Sequence, residues 1–393
     1  MSDRLRLFAA GAASVVLVAV GASACGSDSQ EGGTDPVPAN APAASTGASD
    51  LRALELAADW LVGNLNADGL LENTSAYQGK TSTSVNVGSS IDLVLGLSAS
   101  GLLAQEATAV TDAVAQELPA YVGSGGELYS GPSAKALSLA VDQGRDPHDF
   151  GGLDLQARVE DSVATKSRIA GRLADQSEFG DYANSIGQSY AAAALAAVGS
   201  DRAESVTDFL LAQQCQEGFF RLAFAAKGAV EQGCDADDSL PAEQAPDTTA
   251  LVAVQLAPLA EDDEQVQDAL AAATEWLLAQ QADDGSFADP ENGTNSNTTG
   301  LAGWALLELG EDDAAARAAA WVRDLQVGQG GGSDEESLGK LAGETGALAY
   351  DEASLAEGRE YGLADPLDRS PWVVAGVQAF PVLAAAPAAE ESE

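Results

Sequence analysis

The segment Asp235-Ala236-Asp237-Asp238 places three carboxyl groups side by side along the chain. Carboxyl groups held close together cannot all ionise easily, so one of them can keep a proton and donate it as a general acid. That chemistry needs a buried cluster with a hydrogen-bond partner, often a His. Here Asp235, Asp237 and Asp238 directly follow Cys234 and precede a Pro, which is loop composition, so a solvated acidic loop is the alternative to a catalytic site.

Ligands for a metal or cofactor are scarce. The single His, His148, lies in a turn-like segment, and one His is too few for a zinc site open to substrate and gives a Ser-His-Asp triad only one possible base. The Asp-rich segments 66–73 and 282–295 could bind calcium through oxygen ligands, but neither has EF-hand spacing, and solvated turns are the alternative. Neither a P-loop nor a dinucleotide fingerprint occurs. We therefore predict no metal and no cofactor.

The N-terminus predicts export. Two Arg residues, an apolar stretch over 7–20 and the small residues before Cys25 form a cleavable signal, which we place at residues 1–24. Ala22-Ser23-Ala24-Cys25 resembles a lipobox, so we predict lipidation of Cys25, with an ordinary secreted protein cut near Ala24 as the alternative. Residues 25–49 hold almost nothing large or apolar and predict a disordered tether. The predicted location is the extracytoplasmic face of the cell membrane.

Two further cysteines remain once Cys25 is assigned to the lipid. In an oxidising compartment Cys215 and Cys234 are predicted to form a disulfide that closes a surface loop. Two free, buried thiols are the alternative.

A repeated pattern steps along the rest of the chain. An aromatic residue opens an amphipathic segment, and a Gly follows nine positions later. The copies run over 60–69, 209–218, 276–285 and 321–330. We expect each Gly to end a helix in a left-handed conformation. A polar loop follows each copy, and then a short run of Ser, Thr or Asn before an Ala-rich helix. We expect the Ser and Thr residues to cap the N-terminus of that helix.

The second helix of each pair is apolar on nearly every face and should be buried, whereas the first carries charge on one side and should face water. About six such pairs can bury their apolar surfaces by forming an inner ring and an outer ring. The predicted fold is therefore an all-α, α/α toroid over residues 51–387, followed by an acidic tail at 388–393. An open α-solenoid is the alternative.

The repeat resembles a known one. The segments over 209–220 and 276–287, with Gln214 and Gln281 between the aromatic and the Gly, are similar to the QW repeat of squalene–hopene cyclases and of protein prenyltransferase β-subunits. The resemblance implies the toroid fold, in which the Gln links neighbouring helix ends. It also makes the Asp235–Asp238 segment similar to the DxDD motif of class II terpenoid cyclases, which protonates an alkene or epoxide. The final aromatic here is Phe or missing, where the cyclases have Trp.

The mouth of a toroid is a concave place where ligands bind. Polar residues near the starts of the inner helices would line it, and purely structural capping is the alternative for each of them. The predicted lining residues are Asn184, Gln188, Asp247, Thr248 and Thr298, with Tyr182 nearby.

A net charge of −43 makes nucleic acid an improbable partner, because binding to it needs a basic surface. The same charge opposes adsorption to anionic lipid, so contact with the membrane is predicted only through the N-terminal lipid. We expect a non-catalytic protein that binds a small molecule or another surface protein. A terpenoid-cyclase-like enzyme that uses the Asp-rich motif is the alternative.

Overall fold

The computed structural model describes residues 51–166, 168–236, 244–329 and 335–386. Helices dominate, and most of them alternate between two concentric layers. The first half of the chain contains α1 Arg52–Val62, β1 Glu72–Tyr77, β2 Lys80–Val85, α2 Val87–Ser100, α3 Ala104–Tyr121, α4 Ser130–Asp142, α5 Leu155–Ser162, α6 Ser185–Ala197 and α7 Ala203–Leu211. The second half contains α8 Pro246–Leu256, α9 Glu264–Gln280, β3 Ala288–Asp289, β4 Gly293–Thr294, α10 Ser296–Glu308, α11 Asp312–Asp324, α12 Glu335–Leu338, α13 Glu352–Tyr361 and α14 Pro366–Ala379.

Six helices form the inner ring. Helices α2, α4, α6, α8, α10 and α14 contact one another in that order, and α14 returns to α2. These helices are buried over most of their length because they are rich in Ala and other small or apolar residues. The ring is closed, so the predicted α/α toroid is confirmed, and an open solenoid is not what the chain forms.

The outer helices α1, α3, α5, α7, α9 and α11 each precede one inner helix. Each buries one side and exposes the other; on α1, for example, Leu54 and Leu61 are buried whereas Glu55 and Asp59 are exposed. Two short antiparallel hairpins, β1–β2 and β3–β4, lie in the connections from outer to inner helices. We call that side of the ring the loop face. The opposite side, with the short connections over 101–103, 198–202 and 309–311, is the turn face.

The glycines of the repeat have a different role from the one predicted. Gly218 and Gly285 lie beyond the ends of α7 and α9, inside the loops, and have φ of 105° and 91°. A Cβ on either would come within 2.5 Å of a carbonyl oxygen of the next outer helix. The prediction that they end helices was therefore wrong: they let one repeat's loop lie directly against its neighbour.

The glutamines link the repeats. Gln281 Nε2 donates to the carbonyls of Gly285 (3.1 Å) and Ala314 (2.9 Å), and Gln214 makes the same pair of bonds to Gly218 and Ala269. Gln326 closes the ring in this way, since it donates to Gly346 in its own repeat and to Ala53 in α1. Gly346 thus occupies the position that we had predicted for Gly330, which lies outside the described residues.

The inner helices are capped mainly by Asn. Asn86, Asn184 and Asn295 each accept a backbone N–H from the first turn through the side-chain oxygen. The hydroxyl groups that we expected to cap lie four positions further on: Ser90 and Thr299 accept the N–H of Leu71 and Phe287, both at 3.0 Å. The capping prediction was wrong for them because the approaching loop uses the hydroxyl instead.

Within the described residues, no helix combines the length and the apolar character needed to cross a bilayer. The predicted signal peptide, tether, lipidated Cys25 and acidic tail all lie outside those residues and stay predictions.

Candidate functional site

The predicted mouth residues do lie where the inner helices begin, but their main contacts are internal. Asn184 caps α6 through a 3.0 Å bond from the N–H of Gly187. Thr248 and Thr298 are buried in the first turns of α8 and α10. Asp247 is half-buried beside them, and one of its oxygens accepts the N–H of Thr248 at 2.7 Å. Ligand binding by these residues stays a prediction.

The side-chain amide of Gln188 forms three hydrogen bonds within the protein. Its Nε2 donates to the carbonyls of Gly171 (2.7 Å) and Val206 (2.9 Å), and its Oε1 accepts the N–H of Leu173 at 2.9 Å. The first two bonds match those of Gln214 and Gln281, although Gln188 comes from an inner helix. Its contacts therefore favour the structural role, in which it replaces the missing Gln of the third repeat.

Only one member of the Asp-rich segment can be placed. Asp235 is exposed, and its Oδ1 accepts the N–H of Gln216 at 3.1 Å. Asp237 and Asp238 lie outside the described residues. A proton donor of the cyclase type lies in a buried cluster, whereas Asp235 is open to solvent.

The predicted disulfide is present. Cys215 and Cys234 are bonded, with Cα atoms 5.0 Å apart and 5% and 8% of each residue exposed. The bond joins Cys215, near the start of the loop that follows α7, to Cys234, which directly precedes the Asp-rich segment.

His148 is exposed and pairs with the N-terminus of α5. Its side chain is 60% exposed, and Nδ1 lies 3.2 Å from Asp154, the residue that caps α5.

Sequence reasoning missed a buried polar layer inside the ring. Asp92 of α2, Lys135 of α4 and Tyr190 of α6 each lie six positions after the N-cap of their helix, at one level of the ring. Lys135 Nζ forms an ion pair with Asp92 and lies 5.9 Å from the centre of the Tyr190 ring. None of the three is more than 2% exposed. The signal available in the sequence was a charged residue in the middle of α2, Asp92, and another in the middle of α4, Lys135.

This layer faces the axis of the ring. The position four after the N-cap, held by Ser90 in α2, points to the loop of its own repeat, and a residue two further along a helix lies about 200° away from it. Leu251 and Leu301 hold the same level in α8 and α10 and are 2% and 4% exposed. At this level, side chains from five of the six inner helices are therefore buried.

Burial has the largest effect on the pKa values of the titratable side chains in and beside this layer. Burial, reinforced by the charge of Asp92, raises the pKa of Tyr190 and of Tyr121. Both phenols therefore stay protonated and cannot act as bases. Burial also lowers the pKa of Lys135, an effect that the ion pair with Asp92 opposes.

A second polar group lies at the loop face. Tyr350 Oη is near Asp247, Asp289 and Asp351, and burial together with these carboxylates raises the pKa of Tyr350 to about 12. The backbone carbonyl of Tyr350 accepts the N–H of Ser296 at 2.8 Å, which ties this loop to the start of α10.

No protein-family model matches the sequence. No curated protein matches it either.

Solved structures do match. A protein from Actinoplanes aligns with a TM-score of 0.56 at 16% identity, over 85% of this chain and 98% of its own. The type II terpene cyclase MstE from Scytonema aligns with a TM-score of 0.54 at 16% identity, over 85% of this chain and 97% of its own. At such identities the likeness shows the fold, which is the α/α toroid of the cyclase type that the QW-like repeats predicted.

Proposed function

We propose that this chain is an exported, lipid-anchored cell-surface protein whose toroid binds a partner and does not catalyse a reaction. The N-terminal signal, Cys25 and the tether support the location. The Cys215–Cys234 disulfide is consistent with an oxidising compartment.

The proposal that the protein is not an enzyme rests on the buried side chains that point toward the axis of the ring. A cyclase must enclose a long apolar chain, which needs a cavity along the axis. Here Asp92, Lys135 and Tyr190 occupy that place together with two Leu residues, and each of the five is at most 4% exposed. The exposure of Asp235 supports the same conclusion.

The direction of α1 supports an outward-facing loop face. Helix α1 ends in the connection 63–86 to α2, which lies on the loop face, so the chain enters the toroid on the turn face. A lipid attached through residues 25–49 would then hold the turn face nearer the membrane, and the loop face would be presented to partners.

Membrane anchoring is tested with Cys25→Ser in the native host, with fractionation of the cell envelope. We expect the wild-type chain in the membrane fraction and the variant in a soluble or unprocessed form. A Cys215→Ser/Cys234→Ser chain keeps the lipid site and serves as the control. Because an unprocessed variant keeps its apolar signal in the membrane, the anchor would be refuted by a Cys25→Ser chain that is cleaved and still fractionates with the membrane as the wild type does.

The cyclase-like alternative rests on the fold likeness and on Asp235, Asp237 and Asp238. The Scytonema enzyme was solved with geranylgeranyl dihydroxybenzoate as substrate, which therefore serves as a probe. Incubation of the purified protein with that compound and analysis by mass spectrometry should return it unchanged. A cyclised product lost in Asp237→Asn would establish the alternative instead.

A further inference from the structure

One loop on the loop face presents two aromatic side chains to solvent. Phe179 and Tyr182 are 69% and 72% exposed, and they lie in residues 175–182, which we call the aromatic loop. Single exposed aromatic residues are ordinary, but two on one loop form a small patch, and aromatic residues contribute strongly to binding interfaces.

The aromatic loop is held in one conformation. Tyr182 Oη donates to the carbonyl of Phe179 at 3.0 Å, and the N–H of Tyr182 donates to Asp175 at 3.0 Å. The other oxygen of Asp175 accepts both the N–H and the hydroxyl of Ser130, at 2.7 and 2.6 Å, and Ser130 begins the inner helix α4. The loop is therefore fixed to the ring itself.

A second set of contacts fixes the far side of the loop. Asp181 pairs with Arg172 at 2.8 Å and with Lys227 at 2.9 Å, and its other oxygen accepts the N–H of Asp175. A fixed loop loses little conformational entropy when a partner binds, so its aromatic groups are prepared for contact.

The ring of Tyr182 forms a flat platform. A Cβ placed on Gly180 would lie 3.6 Å from the nearest ring atom, so the ring lies along the loop backbone. With 72% of the residue still exposed, the other face is open to stacking.

The surroundings of the platform are negative. Glu127, Asp175, Glu178 and Asp181 outnumber the two cations Arg172 and Lys227, both of which are already paired with Asp181. Burial and the charges of the first three carboxylates raise the pKa of Tyr129 beside them. An aromatic face flanked by carboxylates attracts a cation through its quadrupole and through charge.

We propose that the aromatic loop is a docking site for a basic segment of a protein partner, with an Arg or Lys side chain stacked on Tyr182 and Phe179. This deepens the proposed function and rests on it. With a net charge of −43 the chain attracts cations at many places, so charge alone cannot choose one. The pair of exposed aromatic groups on one fixed loop selects this place.

The test measures binding of a fluorescein-labelled peptide of alternating Arg and Gly to the full chain, by anisotropy at 150 mM salt, where charges beyond about 8 Å are screened. We expect Tyr182→Ala and Phe179→Ala each to raise Kd by about two- to thirty-fold. Tyr182→Phe should bind more tightly than Tyr182→Ala, because it keeps the ring and loses only the hydrogen bond to the Phe179 carbonyl.

Tyr77→Ala is the matched control, since Tyr77 is 76% exposed and lies on the β1–β2 hairpin of the first repeat, whereas the aromatic loop belongs to the third. It should leave Kd within two-fold of the wild type. Unaltered circular dichroism confirms that each variant is folded.

Three results would overturn the inference: no binding by the wild type, equal losses in Tyr77→Ala and Tyr182→Ala, or binding of a neutral oligosaccharide that depends on Tyr182 while the peptide does not bind. In each case membrane anchoring and the lack of catalysis, tested separately above, would still stand.

Discussion

At the scale of single residues, the Asp92–Lys135 pair is the most consequential feature of the ring interior. Two buried charges stabilise each other, because either one alone would be unpaired in a protein interior that solvates it poorly. The pair joins α2 to α4.

Loss of one partner should therefore be costly. We expect Lys135→Met to lower the free energy of unfolding by about 3–5 kcal/mol, because it leaves the buried Asp92 carboxylate uncompensated. Adding Asp92→Leu in the same chain should restore most of the loss. Denaturant unfolding measures both.

Tyr190→Phe is the control for that series. Tyr190 Oη is buried without a hydrogen-bond partner among the described residues, so the substitution should leave stability unchanged or raise it. If Lys135→Met were as stable as Tyr190→Phe, the ion pair would have no structural role.

Asp181 gives the protein an acid-sensitive contact. Burial raises the pKa of Asp181, but the N–H of Asp175 and the ion pairs with Lys227 and Arg172 outweigh burial and hold it below the ordinary value of 3.8. A lowered pKa in the folded state adds stability above the unfolded-state pKa, and that stability is lost as pH falls through the folded value.

We therefore expect Asp181→Asn to melt below the wild type at pH 7, and the gap to narrow below about pH 4. Scanning calorimetry across pH 3–7 measures it. Asp161→Asn, at an exposed position, is the control for the loss of one negative charge and should melt close to the wild type at pH 7. A gap that stays constant down to pH 3 would contradict the assignment.

At the scale of elements, four of the six repeats join the next through one Gln and one Gly. The third repeat lacks the Gln in its loop, and Gln188 from the inner helix α6 makes equivalent bonds. The contact is thus kept although the sequence position that supplies it has changed, which is why a motif search along the chain could not find it.

Gly285→Ala tests the close approach between repeats. The new Cβ would meet the Arg317 carbonyl and would also sit at a φ of 91°, so we expect a loss of about 3 kcal/mol. Gly293→Ala has a similar φ of 72° but open space, and should cost about 1 kcal/mol. Thermal unfolding of the two variants separates the clash from the backbone strain. Equal losses would show that the approach to Arg317 is not tight.

At the scale of the whole molecule, the last repeat closes on the first through α1. Arg369 of α14 forms a bidentate pair with Glu344, and Glu344 also accepts the Trp60 indole N–H at 2.9 Å. Because the ring is closed, every inner helix packs against a neighbouring inner helix on both sides.

The disulfide should add to this stability. We expect Cys215→Ser/Cys234→Ser to lose about 3 kcal/mol, since an open chain gains the freedom of a loop of about 20 residues when it unfolds. Wild type treated with reductant should melt like the double variant, and Cys25→Ser should not differ from wild type. An unchanged melting temperature in the double variant would show that the bond has no effect on stability.

The sequence by itself determined the toroid, because alternating buried and half-exposed helices have few ways to cover their apolar surface. It also predicted the Cys215–Cys234 bond and the linking role of Gln214 and Gln281. It could not reveal that Asp92, Lys135 and Tyr190 meet, since the level at which three helices align depends on how the loops position each repeat. Nor could it show that Phe179 and Tyr182 are exposed, because burial is decided by what packs around a residue and not by its type. Only the tertiary structure settled these points, because both depend on how residues far apart in the sequence pack together.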